Sequence, residues 1–151
     1  MANTWKWYAT GMQLVMKGCI DLDAAGKKVA LMTQCFRASC TACNWSCVCG
    51  KQISASNCYA SKGKATTLTA VKNGCYIELR GTDPICWKCV TTTAGAAVLH
   101  ACHATSGSDK LIGYMVFGDG ATPCAVSSTA GAFKLDMTDA NGAYLRVKWN
   151  G

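Results

Sequence analysis

This sequence predicts a mainly β fold, an all-β antiparallel sandwich or partly closed barrel of about seven strands, on three observations. Apolar and polar residues alternate with period two in several segments, the mark of strands with one wet face. Two prolines, 15 glycines and many Thr, Val and Ala residues leave little room for long helices. Turn-forming residues fall between the alternating segments.

The elements follow in order. A short amino-terminal helix is expected over Tyr8 to Lys17, because Met12, Val15 and Met16 share a face, although Gly11 weakens it. Strands are expected over Lys28 to Thr33, Cys75 to Arg80, Ile85 to Thr92, Ala96 to Thr105 and Leu111 to Phe117. The last of these is apolar on both faces, which suits a central strand or one buried by a partner subunit. In Phe133 to Thr138 and in Tyr144 to Trp149 the alternation is clean, and Asp139, Asn141 and Gly142 between them predict a hairpin. Cys35 to Lys64, rich in Ser, Ala, Asn, Gly and Cys, reads as a long loop or extended arm. No repeat or linker divides residues 1–151, and a chain of this length suits one domain that buries about two-thirds of its unfolded surface.

A disulfide framework is therefore not needed merely to fold. Yet the chain has 12 cysteines, about 8%, a level associated with much shorter secreted scaffolds. Met1 to Lys17 lacks a basic n-region, and its apolar stretch (Met12, Leu14, Val15, Met16) is too short for a signal peptide or a membrane span. The expectation is synthesis in a cytoplasm with no membrane partner. Thiols there stay reduced, so they bind metal, serve redox chemistry, or are oxidised after leaving the cell.

Cys40 with Cys43 and Cys86 with Cys89 form two C-x-x-C pairs, a spacing that suits zinc when the chain bends tightly between the thiols. Neither pair has a glycine or proline to bend it. Ile85 to Val90 reads as a strand, on which residues three apart face opposite sides. A redox C-x-x-C opens a helix, and no helix is expected after either pair. Structural disulfides remain. Cys19, Cys58, Cys75, Cys86, Cys89, Cys102 and Cys124 are candidate structural disulfide partners. Cys35, Cys40, Cys43, Cys47 and Cys49, five thiols within fifteen residues, are candidates for cross-links between subunits. Trp45 among them is a candidate anchor in a neighbour's pocket.

No catalytic, cofactor-binding or metal site is expected. His100 and His103 flank Cys102, but on a strand His100 and Cys102 share a face while His103 turns away, so they read as packed or surface histidines. Asp21 and Asp23 read as turn caps. The 15 Lys and Arg residues outnumber 8 Asp and Glu for a formal charge of +7, but they are scattered (Lys27, Lys28, Lys62, Lys64, Lys72, Arg80) and form no run of the kind that binds nucleic acid.

Met1, Ala2, Asn3, Tyr8 and Gly11, then Gly18 to Asp23, then the strand Lys28, Val29, Ala30, Leu31 resemble a family of small virion-associated proteins of tailed bacteriophages. That family tends to show an Ile-Asp-x-Asp step before a Lys-Val-Ala-Leu strand. Gly74 to Ile77, Lys110 to Tyr114 and Leu145 to Asn150 resemble its later strands, while Cys35 to Lys64 does not align. The chain departs from the family by placing cysteine at 19, 75 and 124. In this it is similar to rarer phages whose capsid, neck and tail proteins are joined by disulfides. The resemblance implies a minor capsid or decoration subunit of the virion, homo-oligomeric and disulfide-linked to the major capsid protein and other virion proteins. A neck, collar or tail component is the first alternative, and a zinc-stabilised nucleic-acid-binding module the alternative of another class.

Overall fold

The computed structural model describes residues 5–22, 26–37, 39, 44–53, 59–60, 62–82, 85–101, 109–117, 126–135 and 145–148, with the backbone alone at 88–92, 126–135 and 145–148. It is mainly β. The elements are β1 (Trp5–Trp7), α1 (Ala9–Met16), β2 (Lys27–Met32), two 3-10 turns (Trp45–Cys47 and Cys49–Lys51), β3 (Lys64–Thr66), β4 (Leu68–Asn73), β5 (Tyr76–Gly81), β6 (Ile85–Ala94), β7 (Ala96–Ala101), β8 (Lys110–Val116), β9 (Val126–Leu135) and β10 (Leu145–Lys148). Every strand pairing is antiparallel. Each of the seven expected strands overlaps one of these. The three additional strands are β1 and β3, too short to show alternation, and β4, which buries only Leu68 and so lacks an apolar face.

Five strands form the main sheet in the order β1-β8-β7-β2-β3, a second sheet runs β10-β5-β4, and β6 pairs with β9. The main sheet is covered on both faces. Val29 and Leu31 of β2, with Ala97 and Leu99 of β7, point into a core shared with Leu68 and Leu79 of the second sheet and with Ile85, Trp87 and Ala94 of β6. Their neighbours Ala30, Met32, Ala96 and Val98 point the other way, onto Phe36, Trp45 and Val48. Strand alternation thus builds two cores from one sheet. β8 lies between β1 and β7, as its two-sided apolar pattern predicts.

Ile112 is an extra residue in β8: Leu99 pairs with Gly113 but His100 with Leu111. This bulge is where α1 docks. The Tyr8 N–H donates to the Ile112 carbonyl at 3.0 Å as the chain leaves β1. One turn later Gly11 lies so close to β8 that a Cβ would overlap the Leu111 carbonyl. The residue that weakens helix propensity is the one whose missing side chain lets the helix sit on the strand. α1 ends in a Schellman-type cap, with Cys19 N–H bonded to the Leu14 carbonyl at 2.8 Å and Gly18 N–H to Val15 at 3.1 Å.

Two expectations are corrected. The carboxyl-terminal segments do not form a hairpin with each other: Phe133 of β9 lies opposite Trp87 of β6, and Leu145 of β10 lies opposite Leu79 of β5. Turn residues permit a reversal, but they do not choose a strand's partner, which depends on segments far away in the chain. Asp139, Asn141 and Gly142 lie outside the described residues. Nor is the described part of Cys35 to Lys64 an arm. It is bridged to the main sheet at Asn44 to Lys110 and at Gln52 to Met32, and it buries Phe36, Trp45 and Val48 in one core and Ile53 and Tyr59 in the other. Tyr59 also closes the edge of β2, its hydroxyl accepting the Leu31 N–H at 2.9 Å.

Candidate functional site

Beneath this lid, three ionisable side chains from distant parts of the sequence meet. His100 stands on β7 where the bulge falls, fully buried, with the Trp45 ring tilted over it at a centroid distance of 4.6 Å. Asp109, also fully buried, immediately precedes β8, and its carbonyl accepts the Trp45 N–H at 2.8 Å. Lys62 enters from the turn before β3. Its own backbone is left-handed, with φ of 70°, and Gly63 follows with φ of 85°, packed so tightly on Val29 that no Cβ fits. That tight passage brings the Lys62 carbonyl to 2.9 Å from His100 Nε2 and its ammonium to 2.9 Å from Asp109 Oδ2. His100 Nδ1 lies 3.2 Å from the same Asp109 oxygen.

The chemistry of this centre follows from donor and acceptor capacity. A carbonyl can only accept, so Nε2 carries the proton of a neutral imidazole and donates it to Lys62. Nδ1 is then a lone pair, a base 3.2 Å from the oxygen that also contacts the Lys62 ammonium. Burial lowers the His100 pKa from its ordinary value of 6.5, outweighing the opposite pulls of the Lys62 carbonyl and Asp109.

A pH dependence follows with a definite sign. Below about pH 6.5 the unfolded chain takes up a proton here that the folded chain resists, so stability is full above that pH and is lost as pH falls through the folded value. Urea midpoints measured from about pH 8 to about pH 5 are expected to fall on the acid side, and His100→Gln to remove most of that fall. A midpoint indifferent to acid, or a fall that His100→Gln leaves intact, contradicts the assignment.

A second buried carboxylate, Glu78 on β5, accepts from Arg80 Nη2 at 2.6 Å and Asn73 Nδ2 at 3.1 Å, and ties the β4–β5 hairpin. Among the described residues no three His, Cys, Asp or Glu side chains are grouped to hold a metal ion, and no helix is long and apolar enough to cross a membrane.

The cysteines lie elsewhere. Cys35, Cys47 and Cys49 are exposed on the lid segment, Cys19 on the cap of α1, and Cys75 in the two-residue turn that joins β4 to β5; Cys86 on β6 is half-buried. Cys19, Cys35, Cys49, Cys75 and Cys86 are free thiols. Cys89 lies on β6, the strand expected there, but the register slips between Trp87 and Val90, so simple alternation does not relate it to Cys86. Cys40, Cys43, Cys58, Cys102 and Cys124, together with His103 and Asp23, lie outside the described residues. The Asp21 carbonyl accepts from the Lys27 ammonium, a backbone role in the loop between α1 and β2.

Trp45 requires a correction. It does fill a pocket, but the pocket is in its own chain: only 4% of its surface is exposed. Its apolar ring is buried more effectively over β7 than it could be in the solvent-facing loop that the polar sequence around it predicts. His100 is the packed histidine expected. Lys62 and Asp109 carry no sequence signal, because their meeting depends on the pairing of β2, β7 and β8.

Fold and site together define a mainly β protein with a largely buried ionic centre and thiols displayed outside. Comparison of the chain with protein-family models, with curated proteins and with solved structures returns no match.

Proposed function

We propose that this chain is a non-enzymatic structural subunit of a tailed-phage virion, a minor capsid or decoration protein that stabilises the particle through disulfide bonds to neighbouring proteins. One observation carries the proposal. Cysteine is among the most often buried residue types, yet five of the six cysteines whose exposure is described face solvent. They do so on firm supports: a helix cap, a hairpin turn and a lid stitched to the main sheet at both ends. An outward thiol on a rigid element loses little conformational freedom when it joins a neighbour. The resemblance to virion proteins supports the same reading, and so does the timing it implies. A subunit made reduced, assembled by packing and oxidised on lysis is locked only after its neighbours have been chosen.

Electrophoresis of native particles, with and without reductant, tests this. The expected result is a ladder of cross-linked species that collapses on reduction, with Cys19, Cys35, Cys49 and Cys75 recovered in inter-chain disulfide peptides. A monomer in both lanes, with these cysteines recovered as thiols or ligating zinc, overturns it.

A further inference from the structure

The geometry points to an autocatalytic covalent bond at the buried centre: an isopeptide between Lys62 Nζ and Asp109 Cγ, formed with His100 as the proton-transfer base. Lysine and aspartate meet on many protein surfaces without reacting, and four features separate this pair. Asp109 and His100 are both fully buried, so bulk water does not compete for the carboxyl group. The Lys62 ammonium and His100 Nδ1 converge on the same oxygen, at 2.9 and 3.2 Å, so that amine and base each touch the one carboxyl group. Nδ1 carries no proton in the neutral ring and faces the Asp109 oxygen, so it is open to one. Finally, the amine is held from its own main chain, because His100 Nε2 binds the Lys62 carbonyl and the left-handed turn at Lys62 and Gly63 aims the side chain. Holding reactants in this way converts a slow bimolecular condensation into an intramolecular one.

The reaction balances without an external reagent. The ammonium gives one proton to His100 Nδ1, and the amine so formed adds to Asp109 Cγ. The nitrogen loses a second proton as the amide forms, and both protons depart with one carboxylate oxygen as water. The two charges cancel and His100 ends as it began. Lys62 is the partly exposed member, at 18% of its side chain, which provides the exit for that water. The bond would join the turn before β3 to the start of β8, closing a covalent ring around β3 to β7 and fixing the floor beneath the lid.

Mass spectrometry of the full chain, reduced and denatured, reads the outcome directly. The expected chain is lighter than its sequence by one water, resists trypsin after Lys62, and yields one branched peptide joining Lys62 to Asp109. Lys62→Arg, which keeps the charge but removes the primary amine, restores the full mass. Asp109→Asn gives the same product mass as the wild type, because ammonia leaves in place of water. His100→Phe keeps a ring under Trp45 but no base, and slows linkage on the order of a hundredfold. A wild-type chain of full mass that trypsin cleaves after Lys62 overturns the proposal, as does a water loss that persists in Lys62→Arg. The peptide map of the wild type decides the matter even where a variant fails to fold.

Discussion

Trp45→Ala is expected to destabilise the isolated chain by about 3 to 5 kcal/mol, the range for deleting a large aromatic from a well-packed core. The indole is almost fully buried, covers His100 and closes the lid over the main sheet, so its loss leaves a cavity where three polar groups would meet water. The urea midpoint should fall with little change in slope, and Trp45→Phe should recover part of the loss. A second effect distinguishes this site from an ordinary core position. With the ring gone, His100 regains solvent, its pKa returns toward the ordinary value, and the acid sensitivity described above flattens. Were Trp45 instead an anchor for a neighbouring subunit, the isolated variant would keep its stability and only assembly would suffer. The measurement separates the two.

Asp109→Ala is expected to cost about 3 kcal/mol, because it leaves the Lys62 amine and His100 in a buried centre without the carboxyl group that pairs with the amine or is bonded to it. The Asp109 carboxyl group is fully enclosed, 2.9 Å from Lys62 Nζ and 3.2 Å from His100 Nδ1. Asp109→Asn, which keeps the shape and can donate to Nδ1, should cost less. A cycle with Lys62→Met is expected to show non-additivity of about 0.5 to 3 kcal/mol, since the two residues share one contact. Equal urea midpoints for wild type and Asp109→Ala would remove the centre from any account of this protein's stability.

Much of the fold was legible because strand formation is announced locally. Leu111 to Phe117 shows both of its apolar faces in the sequence, and the structure places it between two neighbours with a core on each side. Tyr8 to Lys17 shows its helical face, and the helix lies there. Short or one-sided strands leave no such trace. β9 begins at Val126, not Phe133, because its first residues are small and polar and hold their place by pairing with β6.

Pairing was not legible. The turn chemistry between Leu135 and Leu145 suggests that the last two strands meet, whereas each pairs with a strand roughly thirty to seventy residues earlier in the chain. For the same reason the cysteine-rich segment misled. Its composition is that of a loop, and only the apolar face of β2, β7 and β8 explains why Phe36, Trp45 and Val48 turn inward.

By itself, then, the sequence determined that this is an antiparallel β protein dense in cysteine, because side-chain period and composition are properties of neighbouring residues. Tertiary structure alone decided that Lys62, His100 and Asp109 share a largely buried centre and that Trp45 roofs it. Those contacts exist only after strands far apart in the chain have found their register, and a one-residue slip such as the bulge at Ile112 is enough to set which side chains face one another.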